Sequence, residues 1–303
     1  MIDAAPWPLR FQVGARTIAT VRRRLVRVPL DLADVLAGEV PVLPATPREA
    51  HGYLVTSLPA ALIDQLKARA GKRRVFVRQR YTRYHIDLSI GFDGWQAQLS
   101  GNARSQLRRK AKKLDAQGDV TIREWRSADE MPAFQSVARG VAAKTYQERL
   151  LGAALPDTAD FVTQMTRLAA ADRVRAWTLH LDGEAIAYLY CPAHGRVLLY
   201  EHVGHDPAFG HWSPGTVLHY RALEMLFAER AFDWFDFTEG EGQHKAQLAS
   251  GGTACVDLLL LDPTIANRAT IAALSGFDRS VAIAKRAVQS AGLSRLARKL
   301  RRG

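Results

Sequence analysis

The chain has 303 residues, 48% of them apolar and 24% charged, the ordinary balance of a folded globular protein. That length sustains one large core or two of common size, and disordered, collagen-like and disulfide-stapled architectures are excluded. Lys and Arg number 42 against 30 Asp and Glu, a formal net charge of +12, which directs attention to anionic partners: nucleic acid, a membrane surface or an anionic small molecule.

The excess charge is not uniform. Residues 1–100 carry 15 basic and 8 acidic side chains, 101–119 carry 6 and 2, 120–263 carry 12 and 19, and 264–303 carry 9 and 1. An acidic module thus sits between basic flanks. Cys191 and Cys255 lie in apolar runs and are expected as buried free thiols in a reducing compartment. No Cys/His spacing suggests a zinc site, so no metal is expected. There is no run of about 18 apolar residues to span a bilayer. The segment Met1–Pro6 lacks the basic and apolar regions of a signal peptide, and a cytoplasmic location is expected.

In chain order, Phe11–Val13 and Thr17–Val28 read as strands, Leu58–Ala70 as a helix stopped by Gly71, and Val75–Ile90 as a long strand. Ser100 or Asn102 can cap a helix whose apolar positions Ala103, Leu107, Ala111 and Leu114 share one face. Arg104, Arg108, Arg109, Lys110, Lys112 and Lys113 occupy the rest. This is either a solvated amphipathic helix or one that binds an anion. Without interleaved aromatic residues it is a poor base-stacking surface.

From residue 120 the pattern is regular: strand Val120–Trp125, helices Ala128–Ala143 and Thr158–Ala171 capped by Ser127 and Asp157, and strands Val174–Leu181 and Glu184–Cys191 joined by the hairpin signal Asp182-Gly183. Strand Arg196–Gly204 follows, then a helix from about Thr216 to Arg230, strand Phe232–Thr238, a Gly-rich turn, a short helix Gln243–Ala249 and strand Val256–Leu261. Alternation along Leu198–Gly204 places Tyr200 and His202 on one face and Leu199, Glu201 and Val203 on the other. The last forty residues are helical and basic, with Leu293, Leu296, Ala297 and Leu300 at helical spacing among Arg295, Arg298, Lys299, Arg301 and Arg302. They are a candidate for peripheral contact with a membrane.

Three places could carry chemistry. Ser213-Pro214-Gly215-Thr216 opens a helix, where free N–H groups and a bare Gly suit a phosphate. Asp236, Glu239, Glu241, His244 and Lys245 cluster just past a strand end, the place where ligands bind in open α/β sheets. The carboxylates there can receive a cationic amine, and His244 or Lys245 can act as an acid or a phosphate clamp. Lys144, Tyr146 and Gln147 lie between two helices and could line an acceptor pocket.

The element order is that of a GNAT-fold acyltransferase. The runs Leu199-Tyr200-Glu201-His202-Val203-Gly204-His205-Asp206-Pro207-Ala208-Phe209, Ser213-Pro214-Gly215-Thr216-Val217-Leu218 and Phe235-Asp236-Phe237-Thr238-Glu239-Gly240-Glu241-Gly242-Gln243-His244-Lys245 resemble the GNAT-like acetyltransferases related to the cellulose-biosynthesis CelD proteins, distant relatives of the FemAB peptidyl transferases. The resemblance covers roughly residues 96–262. It implies a mixed α/β (α+β) GNAT-like sheet flanked by helices, an acyl-CoA cosubstrate, and direct acyl transfer to a small-molecule amine such as an amino sugar in envelope or polysaccharide metabolism. It also implies that Val203, Gly204 and Ser213–Thr216 hold the cofactor, and that Glu201, with His202 and His205 as rivals, activates the amine. Three segments are expected: a β-rich accessory or degenerate GNAT-like half over 1–95, the acyltransferase domain over 96–263 and a basic helical extension over 264–303. Two other readings stay open: a FemAB-like transferase that takes aminoacyl-tRNA, and a non-catalytic GNAT-fold module that binds an anion or a membrane.

Overall fold

The computed structural model describes residues 4–14, 16–144, 155–240 and 242–290. In chain order its strands are β1 (Ala5–Val13), β2 (Arg16–Pro29), β3 (Gly52–Pro59), β4 (Arg74–Asp87), β5 (Val120–Trp125), β6 (Val174–Leu181), β7 (Glu184–His194), β8 (Val197–Leu199), β9 (His202–His205), β10 (Trp234–Asp236) and β11 (Gly251–Leu261). Its described helices are α1 (Leu32–Ala37), α2 (Ile63–Arg69), α3 (Gly91–Gln98), α4 (Gly101–Asp115), α5 (Met131–Ala142), α6 (Ala159–Ala170), α7 (Pro214–Glu229), α8 (Gln243–Leu248) and α9 (Ile265–Ser290).

The chain forms two compact units, Met1–Tyr81 with Ala254–Gly303, and Thr82–Thr253. This division differs from the expected segments 1–95, 96–263 and 264–303. The reason is apolar burial: Leu274 of the C-terminal helix shares a buried cluster with Leu9, Leu25 and Leu54, so the two ends of the chain close one core.

In the first unit β1 and β2 form an antiparallel hairpin, β2 runs parallel to β3, and β3 pairs antiparallel with β11 from Cys255 onward. A capping box of Asp31 and Asp34 starts α1 within the crossover that a parallel pair requires. The expected helix Leu58–Ala70 is shorter, because β3 runs to Pro59 and a 3-10 turn precedes Ile63. At a register shift in the β3–β11 pair, Ser57 takes a left-handed φ of +59°. The buried Asp257 carboxylate there accepts from the Ser57 N–H (2.8 Å), the Gln79 amide (2.6 Å) and the Tyr81 hydroxyl (3.1 Å).

In the second unit the strand order is β4-β10-β8-β7-β6-β5, with β9 paired to β7. Among the described residues of this unit, only the β8–β10 pair is parallel. One face buries Leu107, Leu114, Trp95, Leu218, Ala222 and Leu226 of α3, α4 and α7; the other buries Phe134, Ala138, Met165 and Ala169 of α5 and α6. The α4 expectation holds in detail. The Ser100 hydroxyl accepts from the Ala103 N–H at 3.1 Å, and the Leu107/Leu114 stripe faces the core. For α6 the cap is Thr158 rather than Asp157, which instead takes the Gln135 amide at 3.1 Å. Both cysteines are buried as thiols.

Candidate active site

The expected strand Arg196–Gly204 is two strands. Residues Val197–Leu199 pair in parallel with Trp234–Asp236, and the Tyr200 N–H still donates to the Asp236 carbonyl at 2.8 Å. Beyond that point β9 pairs with β7, so β8/β9 and β10 part. Leu198 opposes Ala193 while His202 opposes Tyr190, which places one extra residue on this strand, a β-bulge. The bulge overturns the alternation. Tyr200 stacks on His219 of α7 (ring centroids 4.9 Å) beside Phe235 and Phe237. His202 turns to the opposite face, against Tyr190 and Phe161, because an inserted residue flips everything after it. Glu201 lies at the bulge, exposed, with one carboxylate oxygen 3.5 Å from His202 Nε2. Burial, reinforced by the Glu201 charge, pushes the Tyr190 hydroxyl and the Cys191 thiol upward.

Past β9, Asp206 caps a 3-10 helix over Pro207–Trp212 by accepting from the Ala208 N–H at 2.9 Å. Ser213 then takes a left-handed conformation (φ 58°, ψ 48°) that turns the chain into α7, with Pro214 at its first position. The Ser213 side chain makes no cap bond; its carbonyl accepts from the Thr216 and Val217 N–H groups at 3.0 and 3.1 Å. A Cβ on Gly215 would meet only the His205 ring, at 3.6 Å. Packing therefore does not require glycine there, and its bare face leaves room beside the helix end. Two cations of α4 reach this turn: Lys110 Nζ lies 3.4 Å from Thr216 Oγ1, and Lys113 Nζ donates to the His211 carbonyl at 3.1 Å. An uncapped helix N-terminus with two ammonium groups near it is electrostatically suited to an anion. Gly204 has a different reason to be glycine, since its Cβ would lie 2.5 Å from the Tyr188 ring. Val203 is half-buried against the core. Burial lowers the pKa of His205 and keeps its ring neutral.

The turn after β10 is built around two occupied charges. Asp236 is fully buried and is held by Arg83, whose Nη2 donates to Oδ2 at 2.6 Å while Nε lies 3.2 and 3.3 Å from the two oxygens. The other oxygen accepts from the Thr238 N–H at 2.8 Å. The Asp236 carboxylate expected to receive an amine is thus already satisfied, and it organises the turn instead. Thr238 is left-handed (φ 59°), a strained choice for a β-branched residue. Lys245 Nζ donates to the carbonyls of Phe237 (2.8 Å), Glu239 (2.8 Å) and Gly240 (3.2 Å). All three of its donors close the turn, which leaves none for a phosphate. Glu239 is exposed. His244 reaches the Tyr200 ring (6.2 Å), and its pKa is lowered by burial and by the Lys245 charge. Beneath them the pKa of His219 is pushed down to about 3, by burial first and His244 second, and its buried Nε2 has no hydrogen-bond partner among the described residues.

Lys144 is also occupied, ion-paired with Asp206 at 2.8 Å and Glu184 at 2.9 Å. Tyr146, Gln147 and Glu241 lie outside the described residues. The structure thus brings Tyr200, His219 and His244 together on the α7 side and sets Glu201 with His202 at the bulge. Sequence reasoning missed Arg83 and His219. Their only signals were an Arg within a β-rich run and a His one helical turn after Gly215. A cavity of about 970 Å³ lined by Ile90, Phe92, Phe227 and Arg230 lies at the other end of α7. Among the described residues, no three or more His, Cys, Asp or Glu are grouped to hold a metal ion.

Residues 101–246 match the family model described as acetyltransferase (GNAT) domain. This segment is a GNAT-type acyltransferase domain. Among solved structures, the chain resembles FemX at 9% identity, with 86% of this chain and 89% of that one covered and a TM-score of 0.51. It also resembles the C-terminal domain of a putative lysylphosphatidylglycerol synthetase from Agrobacterium fabrum, at 12% identity, 77% and 72% coverage and TM-score 0.51. A conserved protein of unknown function from Bacteroides thetaiotaomicron is similar at 12% identity, 70% coverage of each chain and TM-score 0.51. These likenesses show the fold alone. No curated protein matches the chain by sequence.

Proposed function

We propose that the second unit transfers an acyl group from acyl-CoA to a small-molecule amine by direct attack. The observation that supports this best is the opening between β9 and β10, followed by the uncapped start of α7 with Lys110 and Lys113 laid on it. The residues fit a pyrophosphate: a helix N-terminus free of side-chain caps, a glycine that packing does not demand, and two ammonium groups. The cosubstrate supplies an activated thioester. Ser213, Pro214, Gly215 and Thr216 hold its phosphates, while Val203 and Gly204 support the strand edge from the core side. Glu201, exposed at the bulge and backed by His202, accepts the amine proton. His244, whose lowered pKa favours a neutral ring beside Tyr200, takes the proton that the nitrogen sheds on attack and passes it to the leaving thiolate. Glu239, exposed at the strand end, adds negative charge that attracts the cationic acceptor. The resemblance of its motif runs to the CelD-related group supports an amino sugar or similar amine in envelope or polysaccharide metabolism as the acceptor, and we place the reaction in the cytoplasm.

Titration calorimetry with acetyl-CoA tests this reading. Binding is expected, and Gly215→Glu should abolish it by placing a carboxylate at the phosphate position; no binding by the wild-type chain sinks the reading. Glu201→Gln with undiminished turnover would remove Glu201 as the base. A second donor, aminoacyl-tRNA, is favoured by one observation: Arg108, Arg109 and Lys112 stand exposed on α4 beyond the cations that meet the turn. Co-purifying RNA and a steep loss of activity with salt would select it.

A further inference from the structure

The opening charge excess belongs to one unit. Residues 1–81 with 254–303 carry 23 basic and 9 acidic side chains, net +14, whereas 82–253 carry 19 and 21. A second property follows the same division. Among the described residues, the large apolar side chains left exposed are Val13, Ile18, Leu36, Val42, Ile265 and Ile283, all in the basic unit.

Three of them lie at one end of it. Arg23, which pairs across the hairpin with Trp7, reaches Asn267, the Ala266 carbonyl and Thr270. Leu274 clusters with Leu9, and Phe277 meets Phe11 edge-on at 5.3 Å. From Trp7 to Phe11 β1 advances about 13 Å, and from the Asn267–Thr270 turn to Phe277 α9 advances about the same. Strand and helix therefore run side by side toward the hairpin end. Val13 lies about 7 Å further on, about level with residues 281 and 282; Ile283, half a turn round from Leu274, stands just beyond on the outer face of the helix with Arg279 and Arg286. Val13 is 50% exposed, Ile18, at the register shift of the hairpin, 58%, and Ile283 67%. Around them Arg10, Arg16, Arg279 and Arg286 are exposed. The only acid of α9, Asp278, lies 3.9 Å from Arg78. The sequence continues past Ser290 with Arg295, Arg298, Lys299, Arg301 and Arg302 and no acid.

The geometry points to this end of the basic unit, the β1–β2 hairpin tip with the C-terminal part of α9, as a docking surface for an anionic lipid bilayer. Aliphatic side chains ringed by arginines match the two forces of interfacial binding, apolar burial at the headgroup boundary and attraction to anionic lipid. Nucleic acid fits less well. Its phosphates would use the cations, but Val13, Ile18 and Ile283 offer no ring for a base to stack on. The inference is independent of the acyl-transfer reading.

Flotation of the full chain with vesicles tests it, comparing phosphatidylcholine alone with an equal mixture of phosphatidylcholine and phosphatidylglycerol. Partition is expected only into the anionic vesicles, weakening as salt rises. Val13→Asp with Ile18→Asp should lower it at least tenfold, and Arg279→Gln with Arg286→Gln by about fivefold for each charge removed. Both pairs are exposed, so unchanged melting temperatures are expected, and circular dichroism checks this. The proposal is overturned by equal partition into neutral and anionic vesicles, by full partition of the Val13/Ile18 variant, or by indifference to vesicles with tight, salt-sensitive binding of RNA.

Discussion

Asp236→Asn separates a structural role from a recognition role at the strand end. In the folded chain the carboxylate is 0% exposed and the Arg83 side chain 8%, so the substitution removes one charge of a desolvated pair and strands the other. Removing one member of a buried pair costs about 3–5 kcal/mol, a large share of the 5–15 kcal/mol of a typical domain. The Thr238 N–H would lose a charged acceptor as well, at a site already bent into a left-handed conformation. Chemical denaturation followed by tryptophan fluorescence should show that loss. The double variant Arg83→Leu/Asp236→Leu should recover much of it, because two apolar side chains leave no uncompensated charge. If Asp236→Asn unfolds within about 1 kcal/mol of wild type and only raises the KM for an amine, the ion pair is not what the carboxylate is for.

Gly204→Ala should destabilise the second unit by about 1–3 kcal/mol through overpacking, since the new methyl would meet the Tyr188 ring at 2.5 Å. Thermal melting checks this, and pairing it with Tyr188→Leu should restore part of the loss. His219 gives a pH signature. Its folded pKa of about 3 lies below its ordinary 6.5, so the unfolded chain binds the extra proton between those values. Stability therefore rises with pH there, by about 1.4 kcal/mol per unit, and is lost on acidification from about pH 6. His219→Phe should remove that slope in denaturation curves taken from pH 4 to 7, and an unaltered slope would assign it to other groups.

Most of the second unit was legible in the chain. Ser100 before the Ala103/Leu107/Ala111/Leu114 stripe, the Asp182-Gly183 turn and the Val120–Trp125 strand follow local rules of capping, periodicity and turn chemistry, and local rules are what a sequence displays. What could not be read depends on partners distant in the chain. The bulge at Tyr200–Glu201 exists because the strand must serve β10 on one side and β7 on the other with unequal registers, and no residue in that run announces it. Asp236 reads as a free acid until Arg83, 153 positions earlier, is seen beside it. Lys245 likewise reads as a clamp for a substrate until the three carbonyls it closes are counted.

Charge shows most clearly how folding changes the meaning of a sequence segment. By sequence, α4 belonged to the basic flanks and left an acidic module of net −7 between them. In space α4 packs into the acyltransferase unit, which brings that unit nearly to neutrality, and two of its cations reach the start of α7. The electrostatics of the site is therefore divided. Ammonium groups and a helix dipole make the start of α7 positive, while the exposed carboxylates Glu201 and Glu239 lie where β9 and β10 part. A near-neutral sum with its signs separated suits one anionic donor and one cationic acceptor meeting in a single cleft. The other unit carries a net +14. That excess, with the exposed aliphatic residues beside it, needs a partner of its own, and an anionic surface is the partner whose physics it matches.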